Sequence, residues 1–420
     1  MTNRFLAGAA TAGHQVEGNN TNSDTWAMEQ MKYGGYSEKS GIACDHYNRW
    51  KEDIDIMKAA GLNAYRFSLE WARIEPQEGV FDREATEHYR RILQYCRESG
   101  IEPVVTLVHF TCPKWLIERG GWEADQTVEY FRRYTEYVCR QYGELLHYIC
   151  TLNEANMGVL ISIFIAQAMA QSREEGGALQ IGMDVETMAK ADAEKKEEEL
   201  QVFGCEDPAV FTSPRTKHGN DVIRRAHMAA VRTIHELLPN AKAGITLSLR
   251  DIQAAPGGEA RAAQSWEEEF RQFLPAMQED DFFGLQNYTR TVMDASGELA
   301  PETGAELTQM GYEYYPQGLE HVIRTVHKDF KGEILVTENG VATDDDTRRV
   351  EFIRTALEGV RACRRDGIPV SGYCYWSLMD NYEWQSGYSM RFGLIGVDRK
   401  TQERIPRESL YFLGEQLRSF

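Results

Sequence analysis

The sequence predicts an α/β fold: a single (β/α)8 barrel of the TIM type, with one long insertion after its fourth strand. Three observations carry this. Short β-rich runs alternate with longer amphipathic stretches along the 420 residues, the pattern of strand–helix units around a parallel sheet. Eight runs of each kind can be read, the number that a closed barrel needs. The first strand also lacks the phosphate loop of a doubly wound open sheet, because Gly8-Ala9-Ala10-Thr11-Ala12-Gly13 is a poor version of one.

The elements follow in order. Phe5–Ala9 is the first strand. Tyr47–Ala60 carries Trp50, Ile54 and Met57 at helical spacing and stops at Gly61. Ala64–Ser68 and the helix Glu84–Ser99 come next, then Val104–Val108 with Val128–Tyr142, then the fourth strand, Tyr148–Leu152. Residues 157–217 break the rhythm and are too long for an ordinary loop. Met157, Leu160, Ile161, Ile163, Phe164 and Ile165 open this segment, an apolar run that water would penalise, so it should pack on the barrel rim or on a partner subunit. The later stretch ADAEKKEEEL at 191–200 reads as a solvated helical face. The rhythm then resumes with Asp221–Leu238, Ala243–Leu247, Gln264–Met277, Phe282–Gln286, Gln317–Lys328, Ile334–Thr337, Thr347–Arg365, Tyr373–Trp376 and Arg407–Leu417. No repeat or linker divides the chain, so 1–420 reads as one catalytic domain with 157–217 inserted at the barrel mouth.

Composition narrows the function. Hydrophobic residues make up 42% of the chain, enough for one large core. Asp and Glu number 65 against 46 Lys and Arg, a formal charge of −19. Such a surface repels phosphate backbones and anionic membranes, so neither nucleic acid nor a membrane is an expected partner. No stretch approaches the roughly 18 apolar residues of a membrane span. Met1-Thr2-Asn3-Arg4 runs straight into Phe5-Leu6-Ala7 with no sign of a secretory leader. The 8 cysteines, at 44, 96, 112, 139, 150, 205, 363 and 374, form no Cys-x-x-Cys pair and read as buried thiols in a reducing, cytoplasmic setting. The 10 histidines show no metal-ligand spacing, so no metal or cofactor is expected.

In a parallel barrel the chemistry sits at the carboxyl ends of the strands. Those ends carry His109, then Asn153 and Glu154, then Gln286 and Tyr288, then Glu338, then Trp376, with Arg66 inside the second strand. Each has a plainer reading when taken singly. A strand-end Glu is usually a surface group or a helix cap, His109 or Trp376 could be core, and Arg66 could be a structural ion-pair partner. Their convergence from different strands on one end favours sugar chemistry instead. Two carboxylates supply an acid and a nucleophile or base, amides and imidazole meet hydroxyls, and an indole meets the apolar face of a pyranose.

Longer motifs lie around these residues: FLAGAATAGHQVEG at 5–18, NAYRFSLEWARIEP at 63–76, VVTLVHFTCPKWL at 104–116, TLNEA at 151–155, VTENG at 336–340 and YWSLMDNYEWQSGYSMRFGLIGVD at 375–398. In this order they resemble glycoside hydrolase family 1, the β-glucosidase family, along nearly the whole chain. The resemblance implies a retaining β-glycosidase, foremost a β-glucosidase, acting on a small β-glycoside or short oligosaccharide. Glu338 would be the nucleophile and Glu154 the acid/base. Gln15, His109, Asn153 and Glu383 would hold hydroxyls of the first sugar, Gln286 and Phe392 would also contact the substrate, Trp376 would be its platform and Trp384 a further contact, while Arg66 and Tyr288 would hold the nucleophile. Arg66 should keep Glu338 ionised, and the charge of Glu338 should keep Glu154 protonated. Two departures stand out: Ala155 replaces the usual proline, and Gln286 replaces a common asparagine.

The same resemblance leaves three rivals. A 6-phospho-β-glucosidase would hold phosphate with a serine, a lysine and a tyrosine where this chain has Glu383, Met390 and Phe392, and a carboxylate there repels phosphate. A transglycosidase would share the covalent intermediate. A sugar-binding, non-enzymatic member would lack one or both glutamates. The glycone and the oligomeric state, a homo-oligomer among the options, stay open.

Overall fold

The computed structural model describes residues 4–163, 165, 185–416 and 420. Its centre is a barrel of parallel strands: β1 (Leu6–Ala10), β2 (Ala64–Ser68), β3 (Glu102–Val108), β4 (Tyr148–Leu152), β5, β6 (Phe282–Gln286), β7 (Glu333–Asn339) and β8 (Val370–Trp376). β5 comes in two pieces, Lys242–Gly244 and Thr246–Ser248. The first piece pairs with β4, the second with β6, and β8 pairs with β1. The sheet therefore returns on itself. At the changeover the Ile245 carbonyl accepts Gly284 N–H at 2.9 Å and the Ile245 N–H reaches the Asp280 carboxylate at 3.0 Å, so the break leaves no orphaned backbone group at that residue.

The predicted helices lie between the strands as α1 (His46–Ala60), α2 (Arg83–Glu98), α3 (Gln126–Tyr142), α4 (Lys217–Leu237), α5 (Glu259–Glu269), α6 (Gly318–Asp329), α7 (Asp346–Arg365) and α8 (Glu408–Gln416). α1 ends as expected, with Gly61 at φ +87° and its N–H on the Lys58 carbonyl, the left-handed cap that glycine adopts without a Cβ clash. α2 buries Ala85, Tyr89, Ile92, Leu93 and Cys96, one stripe at helical spacing. One expected helix is shorter than read. The run Gln264–Met277 stops as α-helix at Glu269 and continues as the 3-10 turn Arg271–Ala276, because Pro275 has no N–H to donate and restricts the residue before it. Leu417, expected at the end of the last helix, lies outside the described residues.

The floor of the barrel is a ring of Leu6, Ala64, Val104, Cys150, Phe282 and Leu335. Larger apolar side chains, from Phe5 to Leu413, fill the shell between strands and helices. Several short elements escaped the sequence pattern: the helices Gly13–Glu17, Asp24–Gln30, Trp71–Ile74 and Lys114–Glu118, and a small sheet of Asp251–Ala254, Arg290–Met293 and Glu298–Leu299. Elements of two to seven residues do not complete enough periods to register.

The insertion divides into pieces. Residues 157–163 are helical, with Val159 buried and Met157 and Ile163 packed on the main core, whereas Ile165 is exposed. Phe164 lies outside the described residues. The helix Val185–Phe203 carries the acidic stretch. That stretch is only partly solvated, which corrects the reading of it as a free surface face. Glu197 is exposed, but Glu199 is buried and accepts Asp207 N–H at 3.0 Å. Glu198 accepts the backbone N–H groups of Lys32 and Tyr33 at 2.8 and 3.1 Å. The cause is apolar: Phe203 and Val210 pack with Met31 and Ile117, which presses the helix onto residues 31–33. Among the described residues no helix is long and apolar enough to cross a membrane, and the eight cysteines are unpaired, seven of them buried.

Candidate active site

Glu338 is the penultimate residue of β7 and is 2% exposed. Tyr288 donates its hydroxyl to Glu338 Oε2. Arg66, projecting from β2, donates to Oε1, and Gln286, the last residue of β6, donates its amide to Oε1 at 3.1 Å. Arg66 also reaches Asn153 Oδ1 at 2.5 Å, which takes a second hydrogen bond from Gln286 at 2.7 Å. With its oxygen so used, Asn153 turns its amide nitrogen to His109 Nε2 at 3.1 Å, which leaves the imidazole proton on Nδ1. Burial, helped by the Arg66 charge, drives the His109 pKa well below its ordinary value, so the ring is neutral. Its Nδ1 is buried without a protein partner.

Glu154 follows β4 in the left-handed region at φ +44°, a conformation that costs a non-glycine residue energy unless its surroundings enforce it. Here its N–H donates to Thr246 Oγ1 at 3.0 Å and the next N–H, of Ala155, reaches the Thr246 carbonyl at 3.0 Å. Among the described residues Glu154 has no ion pair. Burial, then the Glu338 charge, drive its pKa well above the usual carboxylate range, against the pull of Arg66. The push by Glu338 was expected; the larger part played by burial was not. Glu338 itself also rises, because burial outweighs the pull of Arg66 and of the hydrogen bonds from Tyr288 and Arg66. The guanidinium restrains that rise, acting in the direction expected of it.

Both carboxyls face one cavity of about 380 Å3, walled by His109, Tyr288, Trp376, Glu383, Trp384 and Phe392. Trp376 lies 5.5 Å from the His109 ring at 23°, Trp384 stacks 5.9 Å from His14 at 5°, and Phe392 meets Tyr288 edge-on at 6.2 Å. Burial pushes Glu383 up to about 8, with the Gln15 hydrogen bond pulling down and the Glu338 charge adding to the push. Three expected sugar contacts do not line this cavity. Gln15, Asn153 and Gln286 are fully buried behind its wall. The Gln15 amide nitrogen is engaged by Tyr382 O at 2.8 Å and by Asn381 and Glu383 at 3.2 Å each, while its Oε1 has no protein partner.

Other parts of the wall were not foreseen. Asp24, Thr25 and Tyr36 contribute from the loop after β1, Ser248 from the end of β5, and Met310 and Tyr312 from the loop after β6. Thr246 was within reach of the sequence, since alternation along the fifth strand puts it on the same face as Ser248; nothing in the sequence marks Tyr36 or Tyr312. Met390 packs beside Trp376 and Phe392 rather than lining the cavity. No Lys or Arg is found among the described lining residues, and no group of three His, Cys, Asp or Glu among the described residues could hold a metal ion.

Comparison with known proteins agrees with this arrangement. The family model described as glycosyl hydrolase family 1 matches residues 1–419. Beta-glucosidase A of Thermotoga maritima is 28% identical, over 99% of this chain and 97% of its own. A solved beta-glycosidase, BGL167, superposes with a TM-score of 0.89 at 43% identity, covering 100% of this chain and 97% of its own. The Thermotoga maritima beta-glucosidase in complex with glucoimidazole gives 0.80 at 27% identity, covering 98% and 97%.

Proposed function

The chain belongs to glycosyl hydrolase family 1, so it is a glycoside hydrolase, and from that premise we propose that it is a cytoplasmic, retaining β-glucosidase. It would release terminal β-D-glucosyl residues with Glu338 as nucleophile and Glu154 as acid/base. One observation carries the assignment: of the three glutamates on the cavity, Glu338 and Glu154 have unequal partners. Glu338 takes hydrogen bonds from Arg66, Tyr288 and Gln286, whereas Glu154 has no ion pair among the described residues and is driven further up. At neutral pH one proton between them belongs on Glu154.

The chemistry follows. Glu338 attacks the anomeric carbon as Glu154 passes its proton to the departing oxygen, giving a glucosyl ester on Glu338 and a free alcohol. The ester has no charge, so the pKa of Glu154 falls and it takes a proton from the incoming water. That water opens the ester with a second inversion. His109 Nδ1–H and the Glu383 carboxyl would meet sugar hydroxyls, and Trp376 would lie against the ring. The described residues of the cavity wall include no Lys or Arg, which argues against a 6-phosphate. Met157, Ile161, Val210 and Thr212 bring the two ends of the insertion to the cavity, which supports a role for 157–217 as a wall on the leaving-group side.

The anomer released first decides the mechanism. Proton NMR during cleavage of an aryl β-glucoside should show β-glucose before mutarotation. Glu338→Ala should be inactive until azide is added and should then give α-glucosyl azide. Glu154→Ala should lose poor leaving groups far more than activated phenols. First appearance of α-glucose would sink the retaining assignment.

A further inference from the structure

We propose that Glu198, on the inserted helix, is a positioning residue for the loop 382–388, acting through the strap formed by residues 31–40. The inference rests on the reading that Glu383 and Trp384 of that loop face the glucosyl ring.

The strap is pinned at both ends. At its start the Glu198 carboxylate holds two consecutive backbone N–H groups, those of Lys32 and Tyr33, at 2.8 and 3.1 Å. The Tyr33 hydroxyl donates to the neighbouring Glu194. At its end Ser40 donates from N–H and Oγ to Glu29 at 2.9 and 2.7 Å. Glu29 also takes His14 Nε2 at 2.8 Å, and the His14 ring lies parallel to Trp384.

Between these anchors the strap carries the loop. Ser37 N–H donates to the Gln385 carbonyl at 3.3 Å. The Tyr382 hydroxyl donates to the Glu38 carbonyl, and Tyr388 N–H to Glu38 Oε2, each at 2.8 Å. The fit is close: Gly387 has φ +61°, and a Cβ there would stand 2.4 Å from Glu38 Oε2. Tyr36, at mid-strap, shares the cavity wall with Gln385 and Ser386. Glu383 and Trp384 are thus set by contacts on both sides of their loop, and one side traces back to a carboxylate on the insertion. The N–H groups of Lys32 and Tyr33 are near enough to solvent for water to replace Glu198, so its loss frees the strap without emptying the core.

The test is steady-state kinetics of the full-length enzyme on whichever aryl β-glycoside the parent hydrolyses best, alongside its 6-deoxy analogue. Glu198→Ala should raise KM about tenfold, a change of about 1.4 kcal/mol, with kcat altered less than about threefold. It should also shrink the preference for the substrate that keeps its 6-hydroxyl. Glu198→Gln, which retains an acceptor oxygen, should recover part of the loss. Glu197→Ala, on the exposed face of the same helix, should match the parent. Glu38→Ala, which removes the acceptor of Tyr388 N–H, approaches the strap from the loop side and should reproduce the KM effect should Glu198→Ala fail to fold. A lower melting temperature with unchanged KM and unchanged 6-hydroxyl preference in Glu198→Ala and Glu38→Ala overturns the proposal. Parent activity on some glycoside other than a glucoside would overturn the substrate reading instead.

Discussion

Replacing Tyr288 by phenylalanine removes one hydrogen-bond donor from the Glu338 carboxylate. Among the described residues, Glu338 Oε1 keeps two donors, Arg66 and Gln286 at 3.1 Å, while Oε2 loses its one hydrogen bond, from the Tyr288 hydroxyl. The ring should stay in place, since Phe392 packs on it edge-on at 6.2 Å. A hydrogen bond to a charged group contributes about 1.5–3 kcal/mol, so kcat/KM should fall by about 10- to 150-fold. The pH profile adds a sign. The phenol favours the ionised form of Glu338, so its removal favours the protonated form and moves the acidic limb of kcat/KM to higher pH. The basic limb, which reports Glu154, depends on burial and on the Glu338 charge and should stay where it is. The assay is kcat/KM for an activated aryl β-glucoside from pH 4 to 9, with melting temperature as a check on folding. A loss below about threefold with an unmoved acidic limb would refute the assignment of Tyr288 as support for the nucleophile, and movement of the basic limb alone would place its influence on Glu154.

Two further predictions concern stability. Burial raises the Asp24 carboxyl from 3.8 to about 7, so the fold holds a proton that the unfolded chain has lost; the stability this confers is present below pH about 4 and is lost as pH rises through about 7. Asp24→Asn should flatten that decline in melts run from pH 4 to 8, and an identical slope in parent and variant would count against it. A Cβ at Gly340 would stand 1.8 Å from the carbonyl oxygen of Trp376, a backbone clash that no rotamer relieves. Gly340→Ala should cost at least about 1–3 kcal/mol, visible as a lower melting temperature, and should weaken sugar binding as Trp376 shifts; an unchanged melting temperature would contradict it.

Much of this was legible in the sequence because of where it lies. The barrel strands are buried on both faces and read as compact apolar runs, so β2, β4 and β6 have the expected bounds. Glu154 and Glu338 were findable because strand ends in a barrel fix a residue's depth as well as its direction. What could not be read was contact between loops. Asp24 binds Cys112 N–H at 2.9 Å across 88 residues, and Glu198 binds Tyr33 across 165; no local period encodes either. Nor could spacing show that Gln15, Asn153 and Gln286 stand behind the cavity wall, since depth within the layer is settled by which donor each acceptor finds first. Arg66 takes one oxygen of Asn153 and thereby decides which nitrogen of His109 keeps its proton.

The divided fifth strand has a consequence for timing. Thr246, first residue of its second piece, receives the Glu154 N–H and the Gln286 amide at 3.0 and 3.2 Å, so the shutting of the circle and the joining of the two glutamates' surroundings are one event. Everything synthesised before that piece contains Arg66, His109 and Glu154; everything after it contains Gln286, Glu338 and Trp376. On the roles proposed above, a chain emerging from the ribosome with only its first half complete would carry the acid/base without the nucleophile, and a protease nick that releases either half would remove one of the two carboxyls. Activity can therefore arise only after the last strands are made, and it arrives whole.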